Sequence, residues 1–295
     1  MKFADLQLHS IFSDGTFTPA ELVAAAKDAG LDCIALTDHD TVDGVEETER
    51  LCNAAGIELV AGCELTADFT LERRSREVHI LGLFINPADE EFRRALGLYK
   101  RARAARVDSM IGKLNELGVP LTRDHVMEQA DPRCALGRLH VGRALVAQKF
   151  VSDADEAFAR YLGFRRPAWV AKYRVSVADT ASLIHRAGGV AILAHPGIVP
   201  RSGMDEFIPQ LVAQGLDGIE VWHTKHTPAQ SGNYKALAER LGCLITGGSD
   251  CHGYAKGKVL IGSVKLPYEY VERAREAAEK ISASRVGGSL ANDKR

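Results

Sequence analysis

Two short segments carry the densest chemistry in this 295-residue chain: Asp5-Leu-Gln7-Leu-His9-Ser-Ile-Phe-Ser-Asp14-Gly and Leu36-Thr-Asp-His39-Asp40. In each, an apolar run stops where imidazole or carboxylate groups begin. Four more such endings follow: Gly62-Cys-Glu64, Glu77-Val-His79-Ile-Leu, Leu193-Ala-His195-Pro and Gly247-Gly-Ser-Asp250-Cys-His252-Gly. His9 stands two residues after Gln7, as His252 does after Asp250. Strand side chains alternate, so the members of each pair point the same way, and Cys251 is expected on the opposite, core-facing side. Imidazole suits zinc, manganese or iron, and carboxylates can bridge two ions. Taken singly, His79 reads as a hydrogen-bonded core histidine and Glu64 as a helix cap. Collectively that reading fails, because five of the ten histidines fall at such endings, interleaved with carboxylates. Burying so many ionisable groups without a metal is costly. The expectation is a polynuclear site built from His9, Asp14, His39, Glu64, His79, His195, Asp250 and His252.

These groups need strands to bring them together. Phe3, Leu6 and Leu8 read as one short strand, and Ile34, Ala35 and Leu36 as another. A parallel strand is apolar along most of its length and presents its chemistry at its carboxyl end. Thr18-Pro19-Ala-Glu21 is a capping box opening a helix that Gly30 closes, and a second helix runs from about Val42 to Ala55. Strands are expected at roughly 57–64 and 77–85, then again at Val190–Ala194, Gly218–Trp222 and Cys243–Thr246. From about 89 to 165, helix-period residues such as Leu96, Tyr99, Met110, Leu114 and Leu117 dominate. The organisation read from this is a barrel over 1–88 and 166–281, a helical cap insertion over 89–165, and a disordered tail over 282–295. Alternating strands and helices with chemistry at strand ends argue for a parallel α/β barrel. The chain has no Gly-x-Gly-x-x-Gly and no Walker loop, which argues against dinucleotide and NTPase readings.

A net charge of −2 predicts no global attraction to nucleic acid or membrane, so any polyanion must meet local basic patches. No apolar stretch approaches the roughly 20 residues of a membrane span. The six cysteines show no Cys-x-x-Cys spacing and read as buried thiols of a reducing compartment. Met1-Lys2 leads straight into the first strand, so no signal peptide is expected and cytoplasmic is the default localisation. No coiled coil or exposed apolar stripe points to a protein partner.

At these motifs the sequence resembles the polymerase-and-histidinol-phosphatase (PHP) superfamily of metal-dependent phosphoesterases, from Asp5 to about Val264. The matching motifs are Leu8-His9-Ser, Ser13-Asp14-Gly, Thr37-Asp-His39-Asp, Glu64, Val78-His79, Ala194-His195-Pro and Gly248-Ser-Asp250-Cys-His252-Gly. The resemblance implies a distorted seven-stranded β/α barrel, amidohydrolase-like, holding two or three divalent ions: manganese, zinc, iron or magnesium. By position, a first metal would use Gln7, His9, Glu64 and Asp250. Glu64 would bridge to a second held by His79 and His195, and a third would use Asp14, His39 and His252. Asp14, His39, Glu64, Asp250 and His252 would carry catalysis. The family's usual first motif is His-x-His, and Gln7 departs from it; an amide oxygen ligates more weakly than imidazole, or only hydrogen-bonds a metal water.

Paired metals can hold a hydroxide at neutral pH and clamp phosphoryl oxygens during in-line displacement, which fits a phosphate ester. Six basic residues and no acidic ones lie between Phe92 and Val107 (Arg93, Arg94, Lys100, Arg101, Arg103, Arg106). Five more lie between Ala157 and Ala178 (Arg160, Arg165, Arg166, Lys172, Arg174). The segments Gly137-Arg138-Leu-His140, Tyr161-Leu-Gly…Lys172 and Glu220-Val-Trp222-His223-Thr-Lys225-His226 resemble the subgroup of nucleoside 3′,5′-bisphosphate phosphatases and ribonuclease AM-type 5′→3′ exonucleases. That resemblance implies that Arg138, His140 and His226 bind a phosphate that is not cleaved, with His223 and Lys225 as further candidates. Trp222 reads as core, with stacking on a base as the alternative, and His125 and His185 read as surface or structural. The substrate expected is a small nucleotide or short RNA. A histidinol-phosphate-type phosphatase is the alternative enzyme, and a non-catalytic nucleotide- or RNA-binding module with a site weakened by Gln7 is the alternative outside catalysis.

Overall fold

The computed structural model describes residues 1–71, 74–198, 204–255 and 257–292. The chain opens with strand β1 (Phe3–Leu8), helix α1 (Pro19–Asp28), β2 (Cys33–Leu36) and α2 (Val45–Ala55). The Thr18 hydroxyl accepts from the Glu21 N–H at 3.3 Å and the Glu21 carboxylate accepts from the Thr18 N–H at 2.8 Å, which closes the capping box. Gly30 and Gly56 take left-handed φ values of 68° and 73° where the two helices end. Next come β3 (Glu58–Leu71) and β4 (Arg74–Leu83), followed by α3 (Glu90–Glu116), α4 (Arg123–Met127), α5 (Arg138–Ala147), α6 (Ala154–Ala157) and a π-helical turn (Phe158–Leu162). The second half runs β5 (Val175–Ser176), α7 (Val177–Arg186), β6 (Val190–Leu193), a 3₁₀ turn (Pro196–Ile198), α8 (Met204–Val212) and β7 (Gly218–His223). It ends with α9 (Pro228–Leu241), β8 (Leu244–Gly248), β9 (Leu266–Pro267) and α10 (Glu269–Asn292).

The strands form one sheet in the order β8-β7-β6-β4-β3-β2-β1-β9, with β5 paired to β3. The open ends meet just past β8. The Asp250 N–H donates to the Gln7 carbonyl at 3.0 Å, and the His9 N–H to the Cys251 carbonyl at 3.0 Å. Seven strands therefore ring the barrel, and β5 and β9 are two-residue attachments. At this closure the backbones approach so closely that a Cβ on Gly248 would lie 2.5 Å from the Gln7 Cβ.

The ring is not wholly parallel, against expectation. β4 runs antiparallel to both β3 and β6. β3 and β4 pair continuously from Gly62↔Leu83 to Leu71↔Arg74, with no helix between them. A hairpin-length connection permits only the antiparallel arrangement. His79 consequently sits within β4, opposite Thr66, rather than at a carboxyl terminus.

The apolar faces of the helices around the barrel pack against the sheet, with Leu65, Phe69, Ile80, Ile184, Leu193 and Ile219 among the buried residues. The helical insertion has a separate core of Val107, Met110, Leu114, Val126, Val141, Leu145 and Leu162 that reaches Ala168. Helix α3 belongs to both, because Phe92, Leu96 and Tyr99 pack in the barrel core before Val107 enters the cap. Residues 282–292 continue α10, and the Ser282 hydroxyl donates to the Gly188 carbonyl at 3.3 Å. Residues 293–295 lie outside the described residues. All six cysteines are free thiols, five of them buried. Among the described residues no helix is long and apolar enough to cross a membrane.

Candidate metal centre

Three sets of donors converge at one end of the barrel, the atoms of each set within 4.8 Å of one another: His9–Glu64–Asp250, His39–Glu64–His79 and His9–Asp14–His39–His252. Glu64 is the hub. Its Oε1 lies 2.6 Å from His79 Nδ1 and 3.0 Å from His195 Nε2, while its Oε2 lies 3.0 Å from His9 Nε2. Asp250 Oδ1 is 3.3 Å from His9 Nε2. Asp14 faces His252 Nε2 at 3.2 Å and His39 Nε2 at 3.9 Å. All eight expected ionisable residues thus meet in one place.

Backbone conformation aims several of them. His195 and Asp250 have φ of 29° and 53°, and Asp40, beside His39, has 56°. Non-glycine residues in this left-handed region carry strain of about 1–3 kcal/mol each, which persists where surrounding structure enforces it. His252 Nδ1 donates to the Asp250 carbonyl at 2.8 Å, which fixes the tautomer and leaves Nε2 free to ligate.

The donor set fits divalent ions. Both ring nitrogens of His9, Nδ1 of His39 and of His195, and Oε1 of Gln7 are buried without a hydrogen-bond partner. Such orphaned atoms are rare in folded proteins unless a ligand meets them. Burial alone would raise the carboxyl pKa values, but His39 and His79 hold Glu64 well below the usual range, and His252 and His39 do the same for Asp14. Gln7 is also completely buried, and its Nε2 donates to Glu64 Oε2 at 3.2 Å. As placed, the amide supports the hub carboxylate and turns an unpartnered oxygen elsewhere.

Three further carboxylates, not singled out in the sequence, support the site. Asp38 accepts from the Ser10 N–H at 2.8 Å and the Ser10 hydroxyl at 2.6 Å, anchoring the loop that carries Asp14. Asp5 accepts from the N–H groups of Ser249 at 2.8 Å and Gly262 at 3.2 Å, and burial pushes its pKa up to about 6. Glu220 accepts from the His195 N–H at 2.8 Å, and burial, with Asp250 and Glu64 nearby, drives its pKa far up. Their one sequence signal was a carboxylate inside or beside an otherwise apolar strand.

The residues expected to bind substrate divide. Arg138 Nη1 donates to the Leu162 carbonyl at 3.2 Å, and its guanidinium sits 5.0 Å from the Phe158 ring. His140 is buried, and its Nδ1 accepts from the Gly137 N–H at 3.0 Å, so it caps α5. His226 has both ring nitrogens occupied, Nε2 accepting from the Gly197 N–H at 3.1 Å and Nδ1 donating to the Val221 carbonyl at 2.9 Å. As placed, His226 offers no nitrogen to a phosphate. His223 Nδ1 accepts from the Lys225 N–H at 3.0 Å, leaving Nε2 facing Asp250 Oδ2 at 3.7 Å, at the edge of the metal ligands. Lys225 is exposed. Trp222 packs edge-on against Tyr270 in the core. His125 belongs to a capping box with Thr122, and His185 pairs with Asp217 at 2.7 Å.

The insertion and the segment leaving it place cations beside these ligands. Lys172 Nζ lies 3.3 Å from His79 Nε2 and 2.9 Å from Glu77 Oε1. Arg103 pairs with Asp40, and Arg143 Nη2 donates to the Asp14 carbonyl at 2.9 Å. A recess opens here, lined by Asp40, Thr66, Arg103, Arg106, Lys172 and Tyr173.

Known proteins resemble this chain in sequence and fold. The family model described as "PHP domain" matches residues 5–164. A Haemophilus influenzae 5′-3′ exoribonuclease is 33% identical over 84% of this chain and 89% of its own length. A Chromobacterium violaceum 3′,5′-nucleoside bisphosphate phosphatase is 31% identical over 86% of this chain and 88% of its own. An Eggerthella lenta phosphoribosyl 1,2-cyclic phosphate 1,2-diphosphodiesterase is 32% identical over 84% of this chain and 94% of its own. The crystal structure of a Bifidobacterium adolescentis protein assigned as a metal-dependent phosphoesterase superposes with a TM-score of 0.83 at 33% identity, covering 92% of this chain and 94% of that one. With the donor cluster in place at the barrel mouth, the chain belongs to the PHP domain family.

Proposed function

We propose that this metal-dependent phosphoesterase acts on a nucleotide that presents two phosphate groups, either a nucleoside 3′,5′-bisphosphate or the 5′ end of a short RNA. One observation carries the reading. Arg106 lines the recess beside the candidate ligands, Arg138 is close enough to act on its charge, and among the described residues neither makes a salt bridge. The hydrogen bonds found for them run to backbone carbonyls: Val170 at 2.9 Å for Arg106 and Leu162 at 3.2 Å for Arg138. Burial and the neighbouring Arg138 push the Arg106 pKa down to about 10, with Glu77 opposing the shift, so the pair is a positive site that no carboxylate contacts directly among the described residues. A phosphate dianion there would accept charge-assisted bonds from both guanidinium groups. A monophosphate held for hydrolysis has no second phosphate to fill that site.

His9, Glu64 and Asp250 would hold one ion, Glu64 with His79 and His195 a second, and Asp14, His39 and His252 a third. Such ions supply Lewis acidity to a phosphoryl oxygen and lower the pKa of water. Manganese, zinc, iron and magnesium all suit the donors. The protein's own groups do the positioning: Arg106 and Arg138 fix the phosphate that stays, and Lys172 adds positive charge next to His79. Six free thiols support a reducing, cytoplasmic setting. The names of the exoribonuclease and bisphosphate phosphatase relatives support the nucleotide reading.

The test is phosphate or nucleotide release with added manganese from adenosine 3′,5′-bisphosphate and a 5′-phosphorylated short RNA, beside AMP and histidinol phosphate. Preference for either of the first two is expected. Equal turnover of the monophosphates would reduce the guanidinium pair to a structural feature.

A further inference from the structure

The segment that leaves the cap carries exposed aromatic rings and unpaired arginines along the path toward the metal centre. Phe164 is 68% exposed, unusual for a residue of its size, and meets Trp169 edge to face at 5.2 Å. Arg165 lies 5.2 Å from the Phe164 ring, and its backbone is left-handed, with φ of 60°. Gly163 lets the chain turn this sharply off the helical turn before it, since a Cβ there would lie 2.5 Å from the Phe158 carbonyl oxygen. Arg165 and Arg166 are exposed and have no ion-pair partner among the described residues, whereas Arg160 is neutralised by Glu156 at 2.6 Å. Left-handed backbone at a non-glycine residue costs free energy, yet here it displays a large apolar ring and two cations to solvent.

The same segment is tied to the site. Lys113 Nζ donates to the Trp169 carbonyl at 2.9 Å and Arg106 Nε to the Val170 carbonyl at 2.9 Å. Lys172 then reaches His79, and Tyr173, 52% exposed, rests on Tyr99 at 5.6 Å beside the recess. Lys172 is three positions on from Trp169, a span of at most about 11 Å. Phe164 and Trp169 thus stand on the same short segment that ends with Lys172 and Tyr173 lining the recess.

We propose that Tyr173, Trp169 and Phe164, with Arg165 and Arg166, form a stacking track for the bases of single-stranded RNA downstream of the first nucleotide. The track makes an oligoribonucleotide, rather than a free bisphosphate, the preferred substrate class. This rests on the nucleotide reading above. Aromatic faces stack on any base, and flanking guanidinium groups meet the backbone phosphates, so such a track selects length and not sequence.

The experiment separates this proposal from the nucleotide reading itself. Binding of fluorescein-labelled, 5′-phosphorylated oligoadenylates of increasing length is measured by anisotropy in EDTA, which needs no turnover. Wild type is expected to tighten as the RNA lengthens beyond one nucleotide, then level off. Phe164→Ala and the Arg165→Ala/Arg166→Ala double variant should each weaken octamer binding about tenfold. With manganese, both should raise KM for the octamer while leaving adenosine 3′,5′-bisphosphate hydrolysis unchanged. All substituted side chains are exposed, and circular dichroism melts verify the fold. Wild-type affinity independent of length, or variants that bind the octamer as tightly as wild type, overturns the track. A change confined to self-association, read by sedimentation, also overturns it and marks Phe164 as a protein contact. Absence of hydrolysis of every substrate, with length-dependent binding intact, would instead remove the catalytic reading and leave the track standing.

Discussion

His140 is buried in the cap with its Nδ1 accepting from the Gly137 N–H at 3.0 Å, and its protonation should be visible in folding stability. Burial, aided by Arg143, pushes its pKa down from 6.5 to about 4. In the unfolded chain the imidazole binds its proton near pH 6.5, whereas the folded protein refuses it until about pH 4. The folded state is therefore fully favoured above the unfolded value and loses stability as pH falls between the two. At about 1.4 kcal/mol per unit, the complete loss is about 3 kcal/mol. By about pH 5 the unfolded imidazole is nearly all charged and the folded one nearly all neutral, which makes the loss about 2 kcal/mol there. His140→Gln removes the titration while its side-chain oxygen can still accept from Gly137. Urea unfolding of both proteins in EDTA, from about pH 7.5 to about pH 5, isolates the effect, because every other group titrates in both. Wild type should lose about 2 kcal/mol more than the variant over this range. Parallel stability curves would refute the reasoning, and would return His140 to the phosphate-binding role that the family resemblance implies.

Other perturbations test separate parts of the structure. Arg103→Ala leaves the buried Asp40 carboxylate without its cation, which should cost about 3–5 kcal/mol in urea unfolding. Adding Asp40→Asn should recover much of that loss, and a cost below about 1 kcal/mol for the single variant would mean that the pair is already solvated. Gly248→Ala would put a Cβ 2.5 Å from the Gln7 Cβ and 2.6 Å from its backbone nitrogen, where the ring closes. A soluble variant melting within about 2 °C of wild type would show that the closure is not tight. Gln7→His replaces an amide that donates to Glu64 at 3.2 Å with an imidazole. It should raise the number of tightly held manganese ions per chain, measured by metal analysis after gel filtration, and unchanged stoichiometry would show that position 7 does not limit occupancy.

Most of the candidate ligands could be read from the sequence because they mark an abrupt change from apolar to ionisable residues, and a barrel gathers such ends at one mouth; His79, inside β4, is the exception. The direction of β4 was not legible. Alternation at every second residue is the same in parallel and antiparallel strands, and the connection Glu72-Arg73 lacks the glycine or asparagine that advertises a tight hairpin. The supporting carboxylates Asp5 and Glu220 were hidden for a different reason. A lone acidic residue in an apolar strand reveals its role only when its acceptors meet backbone N–H groups far away in sequence, at Ser249 and Gly262 for Asp5 and at His195 for Glu220. In the cap, the basic stretches were visible, but the sequence could not separate cations in salt bridges, such as Arg103 and Lys172, from Arg106 and Arg138, which make none among the described residues. His140 looked like an anion ligand beside Arg138. In the structure it is buried and accepts from the Gly137 N–H, and helical spacing carries neither fact.

Two of the candidate metal ligands, His9 and Asp250, also take part in the barrel's closure. Asp250 donates its N–H to Gln7, and His9 donates its own to Cys251, so the hydrogen bonds that join the last strand to the first lie between ligand-bearing positions. His195 and Asp250 hold left-handed backbone at the points where their strands turn inward. Ions bound to these side chains would stabilise the closed ring over every state in which the ligands separate, in proportion to the logarithm of metal concentration over Kd. The cap reaches this rim through several contacts of its own. Arg143 donates to the Asp14 carbonyl, Arg103 pairs with Asp40 beside His39, and Lys172 touches His79. Each joins a cationic residue of the insertion or its exit segment to a ligand or its immediate neighbour. A phosphate held by Arg106 and Arg138 would add negative charge to this cationic wall and draw the cap against the mouth. Substrate capture, cap position and ligand geometry would in this way be linked through the charges of a few side chains, in a protein whose net charge is only −2.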